Sequence, residues 1–410
     1  MRARLIALVI VLLALSIPGH ADAAPLTPLI AWTPSSLAPN SSVQLSTLVT
    51  SNSQGTKRWS VRGSCSIIGT RLVTKSSGSC SVTLRIDASR GFTARTSLKT
   101  LPIKKDKPVT YDPYAGTIQG STPTGTKSTA TVMTPDGRTR RYRTYVPSTL
   151  PNSPVPLLIG LHGGLGTSAQ FEANSGFNNL AESNGFIVAY PDGIGNRPDG
   201  SGFQTWNGGY CCGPAQSQQV DDVEFISRLI DQMSARFTID PKRVYVAGHS
   251  NGGILGYQLA CRLSHKISAV GVQAGSNVVE KCTPSQPVSF IHVHGTADTN
   301  MPIGGGRGSG ISPTIFVPAR SAVDAMVSAV GATSTPVTGV VASNADITAL
   351  TWTRVGTNTQ VRYVTVATAT HAWMGHPSQS SVGESYVGKP YENFDSSRAI
   401  WSFLSAHPRQ

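Results

Sequence analysis

The chain has 410 residues, of which 13% are charged and 39% hydrophobic, with six cysteines and a mean hydropathy of −0.07. Those figures exclude a disordered chain, a polytopic membrane protein and a small disulfide-stapled scaffold. The formal net charge of +13 raises the question of an anionic partner, but the densest basic clusters (Lys104, Lys105 and Lys107; Arg138, Arg140, Arg141 and Arg143) are short. No nucleic-acid motif accompanies them, so the expectation is weak attraction to acidic polymers and no nucleic-acid partner.

Residues 1–23 read as a signal peptide: Arg2 and Arg4, an apolar run from Leu5 to Ile17, and a small-x-small site at Ala21-Asp22-Ala23. The run is shorter than the roughly 20 apolar residues of a membrane span, so no membrane anchor is expected after cleavage. Export to an extracellular or periplasmic compartment makes disulfides plausible. Cys65 with Cys80 and Cys261 with Cys282 are expected to pair. Cys211 and Cys212 are adjacent, and bridge to each other, pair elsewhere or stay reduced. No C-x-x-C spacing suggests zinc or redox chemistry.

Residues 25–104 show short alternating runs separated by Ser, Gly and Asn, which predicts a small all-β sandwich. The Trp59, Cys65, Cys80 arrangement resembles bacterial immunoglobulin-like modules. With no aromatic platform or acidic cluster, a spacer or stabilising role is favoured over polymer binding. Residues 105–127 are Pro- and Gly-punctuated without periodicity and read as a linker.

From 128 to 410 the pattern becomes α/β. Thr131–Met133 and Tyr142–Val146 flank Pro135-Asp136-Gly137 as a hairpin. Buried strands are expected at 156–161, 185–190, 243–247, 269–272, 288–293 and 361–366. Helices are expected at 220–237, with Val223, Ile226, Ile230, Met233 and Phe237 three or four apart, at 253–263, and from 399. Alternating strands and helices imply a mostly parallel sheet covered on both faces.

Gly248-His249-Ser250-Asn251-Gly252 is a G-x-S-x-G pentapeptide with a strand running into it and a helix leaving it, as a nucleophile elbow requires. A serine hydroxyl needs a base to take its proton and a third group to hold that base. Asp298, just beyond the strand ending at Val293, is the candidate orienting acid, and His371, in the loop after the strand ending at Val366, the candidate base. Asp324, placed in a helical stretch, and Asp346, placed in a loop, are the rival acids; His376 is the backup base. For the oxyanion, one backbone N–H is expected from Asn251 and a second from Gly164 or Leu165 in Leu161-His162-Gly163-Gly164-Leu165-Gly166. Trp206, Trp373 and His249 are candidate substrate contacts. The Gly-rich stretch 304–310 is expected to be mobile near the site.

These stretches, together with Trp206–Gly213 and Val220–Val223, resemble the secreted esterases that include poly(3-hydroxybutyrate) depolymerases and feruloyl or acetylxylan esterases (carbohydrate esterase family 1). The resemblance covers most of 128–410 and leaves out the N-terminal module. It implies an α/β-hydrolase fold, a Ser250–Asp298–His371 triad, a polymer-borne or small ester as substrate, and neither metal nor cofactor. The rival expectation is a secreted adhesion protein with a degenerate hydrolase domain.

Overall fold

The computed structural model describes residues 25–32, 36–103, 109–310, 314–333, 335–377 and 381–410. The segment read as a signal peptide lies outside them. The chain divides into two compact units, Met1–Lys105 and Asp106–Gln410.

The first unit is all-β. Strands Lys57–Gly63, Gly78–Ile86 and Arg95–Ile103 form one antiparallel sheet, with Gly78–Ile86 in the middle. Ser42–Gln44, Arg71–Thr74 and Cys65–Ile68 form a second, and Ile30–Trp32 pairs with Val49–Ser51. Side chains alternate across a strand, so Cys80, Val82, Leu84 and Ile86 enter one core with Leu45, Leu72 and Leu101. The Cys65–Cys80 disulfide ties the two three-stranded sheets together.

The second unit is built on an 11-stranded sheet. Its six central strands run parallel in the order Ile187–Pro191, Val155–Leu161, Ile239–His249, Ala269–Gln273, Ser289–Gly295, Gln360–Val366. Those at 155–161, 187–191, 269–273 and 289–295 are buried at every position, because helices cover both faces. Asp222–Arg236, Asn251–Arg262 and Ala319–Ala329 pack on one face; Ser168–Asn174, Phe177–Asn184 and Ser396–Ser405 pack on the other. The chain leaves Val155–Leu161 for Ile187–Pro191 on one side, then crosses to Ile239–His249 on the other. Such a reversal opens a crevice at the carboxyl ends of the strands. This is an α/β-hydrolase fold.

Three expectations change. Part of the segment read as linker is packed: Val109–Thr110 pairs with Val337–Val341 and Tyr111 is buried, an apolar ring too large to leave in water between proline turns. Asp346 lies in a strand, Asn344–Thr353, which pairs antiparallel with Gln360–Val366. Its half-buried faces dilute the hydrophobic signal. The 304–310 stretch is fastened by strand pairing, Gly306–Arg307 antiparallel with Ile315–Phe316.

Cys261–Cys282 is bridged as expected. Cys211 and Cys212 bridge to each other across a cis peptide.

Candidate active site

Strand Ile239–His249 delivers the chain to Ser250, which sits at φ 52°, ψ −118°. A non-glycine residue pays for that conformation, and the surroundings enforce it. A Cβ on Gly248 would lie 2.5 Å from the Gly252 carbonyl oxygen, and one on Gly252 2.5 Å from the His162 carbonyl oxygen. Both glycines of the pentapeptide are therefore demanded by close backbone approach, and the turn throws the serine hydroxyl outward.

His371 Nε2 lies 2.8 Å from Ser250 Oγ, and His371 Nδ1 lies 2.7 Å from Asp298 Oδ2. A carboxylate only accepts, so Nδ1 carries the proton and Nε2 turns its lone pair to the serine. Asp298 Oδ1 accepts from the Met301 N–H at 2.9 Å. Burial pushes the Asp298 carboxyl up, but the attraction of His371 when protonated and the bonds from His294 and His371 outweigh it and hold the group well below the usual carboxylate range. It stays ionised and holds the imidazole.

Behind Asp298 runs a buried string. His294 Nε2 is 2.9 Å from the Met301 carbonyl and 3.4 Å from Asp298 Oδ2, so it is the N–H nitrogen. His294 Nδ1 then accepts from His292 Nε2 at 2.8 Å, and His292 Nδ1 accepts from the Tyr257 hydroxyl at 2.6 Å. Sequence reading missed His292 and His294, although the i, i+2 spacing on a buried strand was visible.

The rivals are engaged by other partners, although His376 also lines the cleft at Ser250. Asp324 pairs with Arg320, Asp346 accepts from Tyr391, and His376 lies 3.2 Å from Asp395. Of the oxyanion candidates, Asn251 opens helix Asn251–Arg262, where N–H groups lack intrahelical acceptors. Leu165 is corrected: its N–H is donated to the Gln204 carbonyl at 2.7 Å, which leaves Gly164.

Trp206 is corrected as well. It is 0% exposed, donates Nε1–H to the His162 carbonyl, and exchanges two bonds with the Asn251 side chain, at 2.7 and 3.0 Å. It braces the elbow from the core instead of facing substrate. Trp373 and His249 do line the cleft. Trp373 packs edge-on against Phe171, and His249 donates Nε2–H to the His371 carbonyl at 2.8 Å. Residues 304–310 are not among those lining the cleft.

The cleft at Ser250 has a volume of about 430 Å³. Gln170 and Asn174 supply polar wall, while Phe203 and Tyr386, 64% and 60% exposed, stand in its lining. Sequence reading missed these four. They come from a helix, a loop and the short helix Ser381–Val387, which nothing in their local pattern connects.

Burial lowers three histidines, His162 to about 4, His249 to about 3 and His407 to about 4. Each folded value lies below the unfolded value of roughly 6.5, so the unfolded chain binds more protons in acid. Their contribution is fully present above about pH 6.5 and is lost as pH falls toward 4, on the order of 1–2 kcal/mol per histidine by pH 5. The urea midpoint is expected to drop clearly between pH 7 and pH 5; an unchanged midpoint refutes the assignment.

The fold and this arrangement place the second unit in the α/β-hydrolase class. Residues 140–303 match the family model for esterase PHB depolymerase. The chain is 37% identical over 163 residues to a bifunctional acetylxylan esterase/xylanase of Neocallimastix patriciarum, covering 40% of this chain and 22% of that protein. It is 33% identical to feruloyl esterase B of Piromyces equi, over 41% of this chain and 31% of that one. It is 30% identical to poly(3-hydroxyalkanoate) depolymerase C of Paucimonas lemoignei, over 36% and 33% respectively. The chain thus spans less than a third of the length of the first two relatives. Among solved structures, an acetyl xylan esterase from Aspergillus awamori superposes with a TM-score of 0.45 at 15% identity, over 60% of this chain and 93% of that one.

Proposed function

We propose that the protein is a secreted serine carboxylic ester hydrolase that works through an acyl-enzyme. The observation that carries the reading is the continuous Ser250–His371–Asp298 hydrogen-bonded line opening into a cleft. Ser250 Oγ attacks the ester carbonyl carbon while its proton passes to His371 Nε2. The carbonyl oxygen takes the negative charge and accepts from the N–H groups of Asn251 and Gly164. The C–O bond then breaks, and the alcohol leaves with the proton from His371. Water, deprotonated by the same nitrogen, attacks the acyl carbon, and the acid departs as Ser250 regains its proton.

Feruloyl and acetyl esters of plant cell-wall polysaccharide are the first substrates, with polyhydroxyalkanoate polyester second. Phe171, Phe203, Trp373 and Tyr386 in the cleft wall suit a flat aromatic acyl group, and the relatives include a feruloyl esterase and a polyester depolymerase. Initial rates on methyl ferulate, acetylated xylan and amorphous poly(3-hydroxybutyrate) test this. Fast ferulate release with inert polyester is the expected result; polymer clearing without ferulate release reverses the ranking. A protein that hydrolyses none of them and resists fluorophosphonate labelling at Ser250 is the adhesion protein instead.

A further inference from the structure

The charge of this protein is segregated. Residues 25–103 hold nine Lys and Arg against a single acid, Asp87, whereas residues 106–410 hold 21 basic and 19 acidic side chains. Nearly all of the excess positive charge therefore belongs to the first unit and its leader. A spacer has no need of such a concentration, and unbalanced like charge works against a compact domain.

Part of that charge is arranged on one surface. In strand Lys57–Gly63 the inward positions are Trp59 and Val61, so Arg58, Ser60 and Arg62 face outward. Registration puts Arg85 beside Arg58, Thr83 beside Ser60 and Ser81 beside Arg62, and sets Thr96 and Thr100 on the same face of the third strand. Asp87 holds Arg58 at 2.8 Å and Arg85 at 3.4 Å, with both guanidinium groups largely exposed. Ser81 Oγ and Thr100 Oγ1 lie 2.9 Å apart. The result is a pleated surface carrying a row of hydroxyls between guanidinium forks.

We propose that the first unit is a binding module for carboxylate-bearing polysaccharide, docked on the outer face of the Lys57–Gly63, Gly78–Ile86, Arg95–Ile103 sheet. Arginine forks match carboxylates in two-point contact, and serine and threonine hydroxyls exchange hydrogen bonds with sugar hydroxyls. Nucleic acid fits less well, because single strands are held by exposed aromatic rings. Here Trp32 and Trp59 pack edge-on against each other, half-buried, at the core. A lipid surface fits less well too, since Leu98 is the exposed large apolar side chain on this face. The proposal stands apart from the esterase reading, because it concerns the other unit.

The test is affinity electrophoresis and titration calorimetry of the full chain with polygalacturonate, unsubstituted xylan and double-stranded DNA. Three proteins are compared: wild type, Arg58→Gln/Arg62→Gln/Arg85→Gln, and a control with equal charge loss elsewhere in the unit, Arg71→Gln/Lys75→Gln/Arg90→Gln. Wild type is expected to bind polygalacturonate, more weakly as salt rises, and xylan hardly at all. The face variant is expected to lose about ten- to hundred-fold in affinity, and the control only a fewfold. Hydrolysis of 4-nitrophenyl acetate, which reports on the second unit, is expected to be the same in all three. No binding at low salt, equal losses in both variants, xylan bound as well as polygalacturonate, or DNA bound more tightly would each overturn the proposal.

Discussion

Ser250→Ala is expected to lower ester hydrolysis by about four to six orders of magnitude while leaving the folded state in place. The serine's backbone N–H still reaches the Gln273 carbonyl, and the glycines that shape the turn are untouched. Removing His371 as well is expected to cost little more, because a base without a nucleophile has nothing to deprotonate. Fluorophosphonate labelling reads the same event without a substrate and is expected to vanish. A Ser250→Ala enzyme that keeps a tenth of wild-type turnover would mean the nucleophile lies elsewhere.

The largest expected effect on stability lies at Arg140. This side chain is buried with Asp222: Nη2 is 2.6 Å from Asp222 Oδ1 and 3.1 Å from the Asp192 carbonyl, and the guanidinium lies over the Phe225 ring at 4.1 Å. Burial pushes the Asp222 carboxyl up against the pull of Arg140. Arg140→Met strands that carboxylate in the core and is expected to cost about 3–5 kcal/mol. Adding Asp222→Leu is expected to recover part of the loss. Recovery stays incomplete because Asp222 Oδ2 also accepts the Asn207 N–H at 2.8 Å, and an orphaned buried N–H costs about 1–3 kcal/mol. Denaturant midpoints of the two variants decide this. A single variant within about 1 kcal/mol of wild type would show that the pair is not holding the loop. Because Asn207 follows Trp206, whose backbone clasps Asn251, turnover is expected to fall along with stability.

The triad candidates were legible because each follows a strand in an order that this class of sheet brings to one edge, and the glycine constraint at the elbow is local. The central strands were legible for a related reason, since burial on both faces leaves unbroken apolar runs. What stayed hidden depended on the third dimension. Trp206 looks like any tryptophan near a motif, and only its burial under His162 reveals a brace. Leu165 looks as eligible as Gly164 until its N–H is found to be spent on Gln204. Phe203, Tyr386, Gln170 and Asn174 meet in one cleft although the chain separates Gln170 from Tyr386 by more than two hundred residues. Charge segregation was present in the composition all along, but the whole-chain total conceals it.

The buried string from Tyr257 to Asp298 decides where a proton in transit can stand. Every donor in it points the same way, from Tyr257 through His292 and His294 toward Met301 and Asp298. The nitrogen of His294 that meets the carboxylate already carries hydrogen, so it cannot receive another, and Asp298, held strongly acidic, declines one. The back of the site is thus a dead end. In the proposed mechanism, a proton taken from Ser250 then has a single address, His371 Nε2, and a single way out, through the departing alcohol.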